Sequence, residues 1–342
     1  MKKAFFCLLL ALALVVLSEA HIRGWIQSAV GSAVQAAMEQ REAKGAKNAA
    51  PSFYEQLGSH ERTDMLDVTL YFRFADSNLL GTERVKLDIR REETIATSMV
   101  QRLIDGPGVA HDRLSGVFPR GTQVISVRGD GATVFVTLSH EFLGRPDGAP
   151  ADWEDLPQWQ EEAALRRRLA AHSLALTLTE DGRYQRVQLY VAASDDDIPE
   201  RVPMAYFDTA VTDASLVLAA TARDEAAALT PGRAMGMIMD AWMAQDWETL
   251  YRLLAPEEGG MLPALSVFEA EMRERDISLL GYEATEGMVA YDGQTATVVL
   301  DAQLRSRLGG DAQITRESVL LVREQDNWAI REDTLRTLMI RD

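Results

Sequence analysis

The residues able to do chemistry are few and scattered. The histidines are His21, His60, His111, His140 and His172, and none stands beside another at ligand spacing. A zinc site needs three or four ligands, so no metal is expected. Ser139-His140-Glu141 has the residue types of a catalytic cluster. On a strand, however, neighbours point to opposite faces, and no G-x-S-x-G elbow presents a serine. Asp195-Asp196-Asp197 lacks the spaced ligands and glycine of a calcium loop and reads as a solvated linker. Arg166-Arg167-Arg168 reads as a solvated helix face, with docking of an acidic partner as the alternative. His172, near the Leu165–Leu169–Leu176 stripe, reads as a partly buried side chain making one hydrogen bond. Asp240, Asp246, Tyr251 and Tyr282 are the polar candidates for a C-terminal pocket. Trp25, Trp153 and Trp159 could stack on sugars, though such residues more often anchor cores or interfaces. No catalytic residue, cofactor site or metal site is expected from this inventory.

Composition narrows the function classes further. The chain has 342 residues, 47% of them hydrophobic, with 52 acidic against 35 basic side chains and a net charge of −17. That is enough apolar material for folded cores, and the length suggests two domains. A phosphate-binding groove needs clustered Lys and Arg, so nucleic acid is excluded as a partner. The single cysteine, Cys7, lies in a leader that resembles a signal peptide: Lys2-Lys3, an apolar run from Ala4 to Leu17, then Ser18-Glu19-Ala20. Fourteen apolar residues fall short of the ~20 that span a bilayer, so cleavage before His21 is expected rather than anchoring. The mature chain would then carry no thiol, and core packing alone would hold the fold.

The elements that must position these side chains follow from periodicity. Residues 1–20 read as the signal peptide and 21–65 as a helix and linker. In 66–193, Val68, Leu70, Phe72 and Phe74 alternate as a half-buried strand, and a second strand runs from Arg84 to Ile89. A helical stripe from Ile95 to Ile104 ends at Gly106-Pro107-Gly108, and Pro119-Arg120-Gly121 forms a turn. Strands Val124–Arg128 and Thr133–Leu138 flank Gly129-Asp130-Gly131, a hairpin signal. A helix from Gln158 to Leu176 and a strand from Val187 to Val191 complete β-β-α-β-β-α-β, expected as one small sheet carrying both helices. Residues 194–230 read as a connector in which Met204–Phe207 and Leu216–Leu218 add short strands. In 231–342, Met235 to Leu253 reads as one long helix, followed by a short helix over Leu262–Arg273 and an antiparallel meander turning at Asp292-Gly293, Gly309-Gly310-Asp311 and Gln325-Asp326-Asn327.

Several motifs occur together in order: Val68-Thr69-Leu70-Tyr71-Phe72, Leu103-Ile104-Asp105-Gly106-Pro107, Phe118-Pro119-Arg120-Gly121-Thr122, Val134-Phe135-Val136 and Ser139-His140-Glu141-Phe142. With these, residues 66–193 resemble the GerMN domain family of sporulation and germination proteins. Leu70, Tyr71, Phe72, Gly106, Pro107, Pro119, Gly121, Asp130 and Gly131 are its structural signature here. The resemblance implies an extracytoplasmic α/β module like the ring-building folds of secretion machines, without known catalysis. Residues 231–342 resemble a ketosteroid-isomerase-like or cystatin-like cone, on element order and on Trp242, Trp247 and Trp328. The expected fold class is α+β: a ring-building-like α/β module followed by a cone of helices and a curved antiparallel sheet. The expected function is that of an exported, non-enzymatic scaffold of the cell envelope, in a sporulation- or germination-related membrane complex. Its expected partners are proteins of that complex or further copies of the chain. The alternatives are an envelope enzyme acting on the cell wall and a small-ligand binding protein using the C-terminal cone.

Overall fold

The computed structural model describes residues 65–89, 93–275, 277–306 and 310–339. The leader, the helix expected within 21–65, Cys7, His21, Trp25 and His60 lie outside the described residues, as does part of the Gly309-Gly310-Asp311 turn.

Strand β1 (Leu66–Phe74) buries Leu70, Phe72 and Phe74 on one face and Tyr71 and Arg73 on the other. Antiparallel β2 (Leu80–Leu87) pairs with it, Phe72 opposite Gly81 and Leu70 opposite Glu83. Helix α1 (Ile95–Asp105) starts where the Thr94 hydroxyl accepts the Thr97 N–H at 3.1 Å. It stops at Gly106, whose φ of 89° is open to glycine. Short β3 (Leu114–Ser115) pairs with β1, giving the sheet order β2-β1-β3.

Strands β4 (Val124–Asp130) and β5 (Thr133–Ser139) form the expected hairpin, shifted by one residue. Asp130 pairs with Thr133, so the turn is Gly131-Ala132 rather than Asp130-Gly131. Gly131 takes the positive φ at the first turn position, the place a II′ turn reserves for glycine. Helix α2 (Pro157–Leu178) then crosses over to β6 (Arg186–Ala192), which runs parallel to β5. Strands β7 (Glu200–Arg201) and β8 (Thr221–Ala222) add to β6. The Met204–Tyr206 segment is a 3-10 turn, not the strand expected, and Pro203 bridges Val217.

The single small sheet anticipated for this region is therefore two sheets, with α1 and α2 packed against both. The reason lies in β1. A strand buried on both faces cannot belong to a sheet with one solvated face. Helix α2 is likewise buried nearly all round from Ala163 to Leu178, as a helix between layers must be.

The expected long C-terminal helix divides in two. Helix α3 (Pro231–Ala244) ends at Gln245, in the left-handed region at φ 55°. Asp246 then caps α4 (Trp247–Arg252) by accepting the Thr249 N–H at 3.1 Å. There follow β9 (Leu254–Ala255), α5 (Leu265–Glu274), β10 (Ile277–Ala284), β11 (Met288–Val289), β12 (Thr295–Ser306), β13 (Gly310–Glu324), β14 (Asn327–Arg331) and α6 (Glu332–Met339). The sheet order is β10-β12-β13-β14-β9, with β9 parallel to β14 and β11 paired to β12. Ala296, Val298, Leu300, Ala302 and Leu304 turn inward from β12. Trp242, Trp247 and Trp328 are all core residues. The fold class is α+β.

One contiguous apolar cluster runs from Val68 to Met339. The free edge of β2 is where its N- and C-terminal portions lock together. Thr82 N–H donates to Asn327 Oδ1 at 2.7 Å, and Asn327 Nδ2 donates back to Thr82 O at 3.0 Å. Leu229 N–H donates to Leu80 O at 2.8 Å, and Arg84 N–H to Asp326 Oδ2 at 3.0 Å. Gly81 is required beside this clasp: a Cβ there would collide with Asn327 Oδ1 and lie 2.8 Å from Leu114 Cδ2.

Asn327→Ala strips the Thr82 backbone of both its bonds to the Asn327 side chain and should cost about 2–4 kcal/mol, read as a shift in the urea midpoint. Gly81→Ala should cost less in the Asn327→Ala background than in the wild type, because the closest clash, with Asn327 Oδ1, is gone while that with Leu114 remains. Additive costs would show that the two positions do not meet.

Candidate interaction surface

The signature residues serve the scaffold. Leu70 and Phe72 are fully buried. Gly106 ends α1, and beyond Pro107 the Gly108 N–H donates to the buried Glu83 carboxylate at 3.1 Å. Pro119 O accepts from the Thr122 N–H and hydroxyl, and Gly121 turns at φ 88°. Asp130 and Gly131 shape the hairpin end. Tyr71 sits under α2: its hydroxyl donates to Glu180 at 3.1 Å and accepts from Arg223 at 3.2 Å. Burial, reinforced by the Glu180 charge and opposed by Arg223, pushes the Tyr71 hydroxyl up to about 12.

The residues singled out for chemistry do not converge. Ser139 ends β5 and its hydroxyl accepts the Gln123 N–H at 3.0 Å, while His140 and Glu141 are exposed on a 3-10 turn. The Arg166–Arg168 run is a solvated face only in part: Arg168 is exposed, Arg166 half-buried and Arg167 buried. Arg166 pairs with Glu162 at 2.6 Å, and Arg168 donates to Phe207 O at 2.6 Å. Arg167 is 5% exposed, donates to Leu143 O at 2.7 Å, and lies between the Trp153 and Tyr206 rings. Arg167 lies on the side of α2 that faces the neighbouring layers, where burial leaves its guanidinium to staple carbonyls and rings. His172 Nδ1 is buried without a hydrogen-bond partner, contrary to the one expected, and burial lowers the ring's pKa. His111 stands with Nε2 4.0 Å from Glu83. Of the four C-terminal candidates only two meet: the Tyr282 hydroxyl donates to Asp240 at 2.7 Å, and its pKa is raised by burial and that carboxylate. Asp246 is a helix cap, and Tyr251 donates to Pro263 O at 2.7 Å. Trp159 is half-buried on α2. Among the described residues no three His, Cys, Asp or Glu side chains come together as metal ligands would.

A different surface does gather functional groups. Val134, Val136 and Leu138 of β5 face the helices, so Phe135 and Thr137 face outward. Register places Ser126, Thr137 and Tyr190 in one row and Arg128, Phe135 and Gln188 in the next. The Phe135 and Tyr190 rings stand 6.2 Å apart at 39°. With the Ser194–Pro199 loop they enclose a groove of about 320 Å³, with Asp195 and Asp197 on its rim. This site was missed at the sequence level, where the Asp run read as linker alone. The available signal was Phe135, an aromatic at a solvent-facing position of an alternating strand.

The molecule is an α+β protein with an open sheet face and no convergent catalytic set among the described residues. Residues 69–192 match the family model described as Germane, sporulation and spore germination, so this segment is a GerMN-family domain. No curated protein matches the sequence at a significant level. Among solved structures, the first GerMN domain of the sporulation protein GerM from Bacillus subtilis is 15% identical, over 47% of this chain and 98% of that one, with a TM-score of 0.31. The tandem GerMN domains of the same protein are 12% identical, over 78% of this chain and 61% of that one, also at 0.31. No helix among the described residues is long and apolar enough to cross a membrane.

The Tyr71 environment has a pH consequence. Its folded pKa lies above the unfolded value near 10, so its contribution is complete below pH ~10 and lost as pH rises through about 12. Wild type should lose about 2–3 kcal/mol more than Tyr71→Phe across that interval, measured by denaturant titration at each pH. Equal losses would refute the assignment. Arg167→Lys should destabilise nearly as much as Arg167→Ala, by about 2–4 kcal/mol, because an ammonium cannot span the same carbonyls and rings. Recovery of wild-type stability by lysine would count against this.

Proposed function

We propose that the chain is an exported, non-enzymatic interaction protein of the cell envelope, working in a sporulation- or germination-related membrane complex. The match of residues 69–192 to a sporulation and spore germination family carries this reading. The leader motif supports export, since a basic start, an apolar run and Ser18-Glu19-Ala20 are the parts a signal peptidase reads. An acidic surface fits partners that are proteins rather than polyanions. In this role the GerMN-family segment supplies a rigid body, and its solvent-facing residues select the partner.

In vivo crosslinking of the tagged chain in its native host, with mass spectrometry of partners and N-terminus, tests the proposal. The expected result is a defined set of membrane or spore-envelope proteins and a chain that begins at His21. Recovery of the chain alone, or turnover of cell-wall material by the purified protein, would overturn it.

A further inference from the structure

The open face of the β4-β5-β6 sheet holds polar side chains with no structural duty. The Thr137 hydroxyl lines the groove and makes no hydrogen bond to another described residue, although the residue as a whole is mostly covered. Ser126, Arg128, Tyr190 and Asp195 line the same groove, Arg128 and Asp195 being exposed to solvent. Asp197 is held by the Ser194 hydroxyl at 2.9 Å. Solvent-facing donors and acceptors gathered around two aromatic rings in a groove are the makings of a ligand site.

The chemistry of the lining selects the ligand class. The groove's ~320 Å³ lies at the small end of the range for ligand sites. A polyanion is opposed by Asp195, Asp197 and the net charge of −17. A polycation is opposed by Arg128 in the lining. A zwitterion could meet both signs, but in an open groove exposed ion pairs are worth only about 0–1 kcal/mol. What the lining does favour is a ligand with apolar faces and many hydroxyls. The Phe135 and Tyr190 rings form two platforms, 6.2 Å between centroids, a spacing comparable to one sugar residue of an extended chain. Hydroxyls, a free carboxylate and a guanidinium surround these platforms.

We propose that the Phe135–Tyr190 groove binds an uncharged oligosaccharide, its sugar faces on the two rings and its hydroxyls on Thr137, Asp195 and Arg128. This adds a ligand to the scaffold role and stands apart from it. A chain that binds no sugar can still be crosslinked to protein partners, and the two experiments read out separately.

The test titrates the full chain with chitotetraose and with cellotetraose by isothermal calorimetry. Saturable binding of at least one of them below about 1 mM is expected, near −4 kcal/mol. Tyr190→Ala and Asp195→Ala should each weaken it roughly tenfold, and Thr137→Val severalfold. Tyr190→Phe keeps the ring and guards against a folding artefact: it should bind within about threefold of wild type, with an unchanged near-UV spectrum. Absence of saturable binding to either sugar overturns the proposal. So does binding that Tyr190→Ala leaves intact, or displacement of the sugars by the dipeptide Ala-Glu at lower concentration.

Discussion

The outer edge of β2 is satisfied without a neighbouring strand, and much of the molecule depends on how. Leu80, Thr82 and Arg84 present backbone groups away from β1 at alternate positions. Each is met by a residue far along the chain: Leu229, Asn327 and Asp326. The Asn327 side chain both accepts from and donates to Thr82, so one primary amide performs the exchange of a paired strand residue. An exposed edge is a template for unwanted pairing, and this clasp closes it within the chain. It also explains a sequence detail with no local cause. Gly81 lies inside a regular strand, where glycine is unfavourable, because the asparagine occupies the space a Cβ would need.

The clasp fixes which surfaces are left open. With β2 closed on its outer edge, the helices α1 and α2 sit against both N-terminal sheets, and the C-terminal half of α2 is largely covered. Helix α2 shows the cost of such a position: Arg73 and Arg166 are drawn to Glu162, at 2.5 and 2.6 Å, and Arg167 is folded under the loop at Leu143. The basic run is consumed by the fold. The outward face of the second sheet escapes this, because its other face alone packs on the helices.

The sequence revealed the elements better than their associations. Alternation in Val68–Phe74 and the Gly106 stop are local properties, and both stand where periodicity placed them. Pairing is not local. That β1 and β5 belong to different sheets depends on both faces of β1 being buried, which the order of elements does not reveal. The Gln325-Asp326-Asn327 turn was legible as a turn, while the partner of Asn327 lies 245 residues away. The split between α3 and α4 was legible in principle. Asp246 followed by Glu248 and Thr249 is a helix start, but an unbroken apolar stripe hid it. The Arg run misled for a physical reason: charge in sequence reads as surface, and only the packing of an Ala-rich helix between layers shows otherwise.

This separation bears on how far the family match reaches. The residues that carry the resemblance in the sequence point inward or shape turns, so likeness at those positions reports a backbone and its core. Recognition belongs to the side chains that alternate with them: Phe135 between Val134 and Val136, Tyr190 between Leu189 and Val191. Those positions can change without disturbing the fold, since the register that carries them is fixed from the other face. Two chains can therefore share this domain and differ in what they bind. For this protein the core accounts for the family, and the face with Arg128, Phe135 and Tyr190 is where its own specificity must be sought.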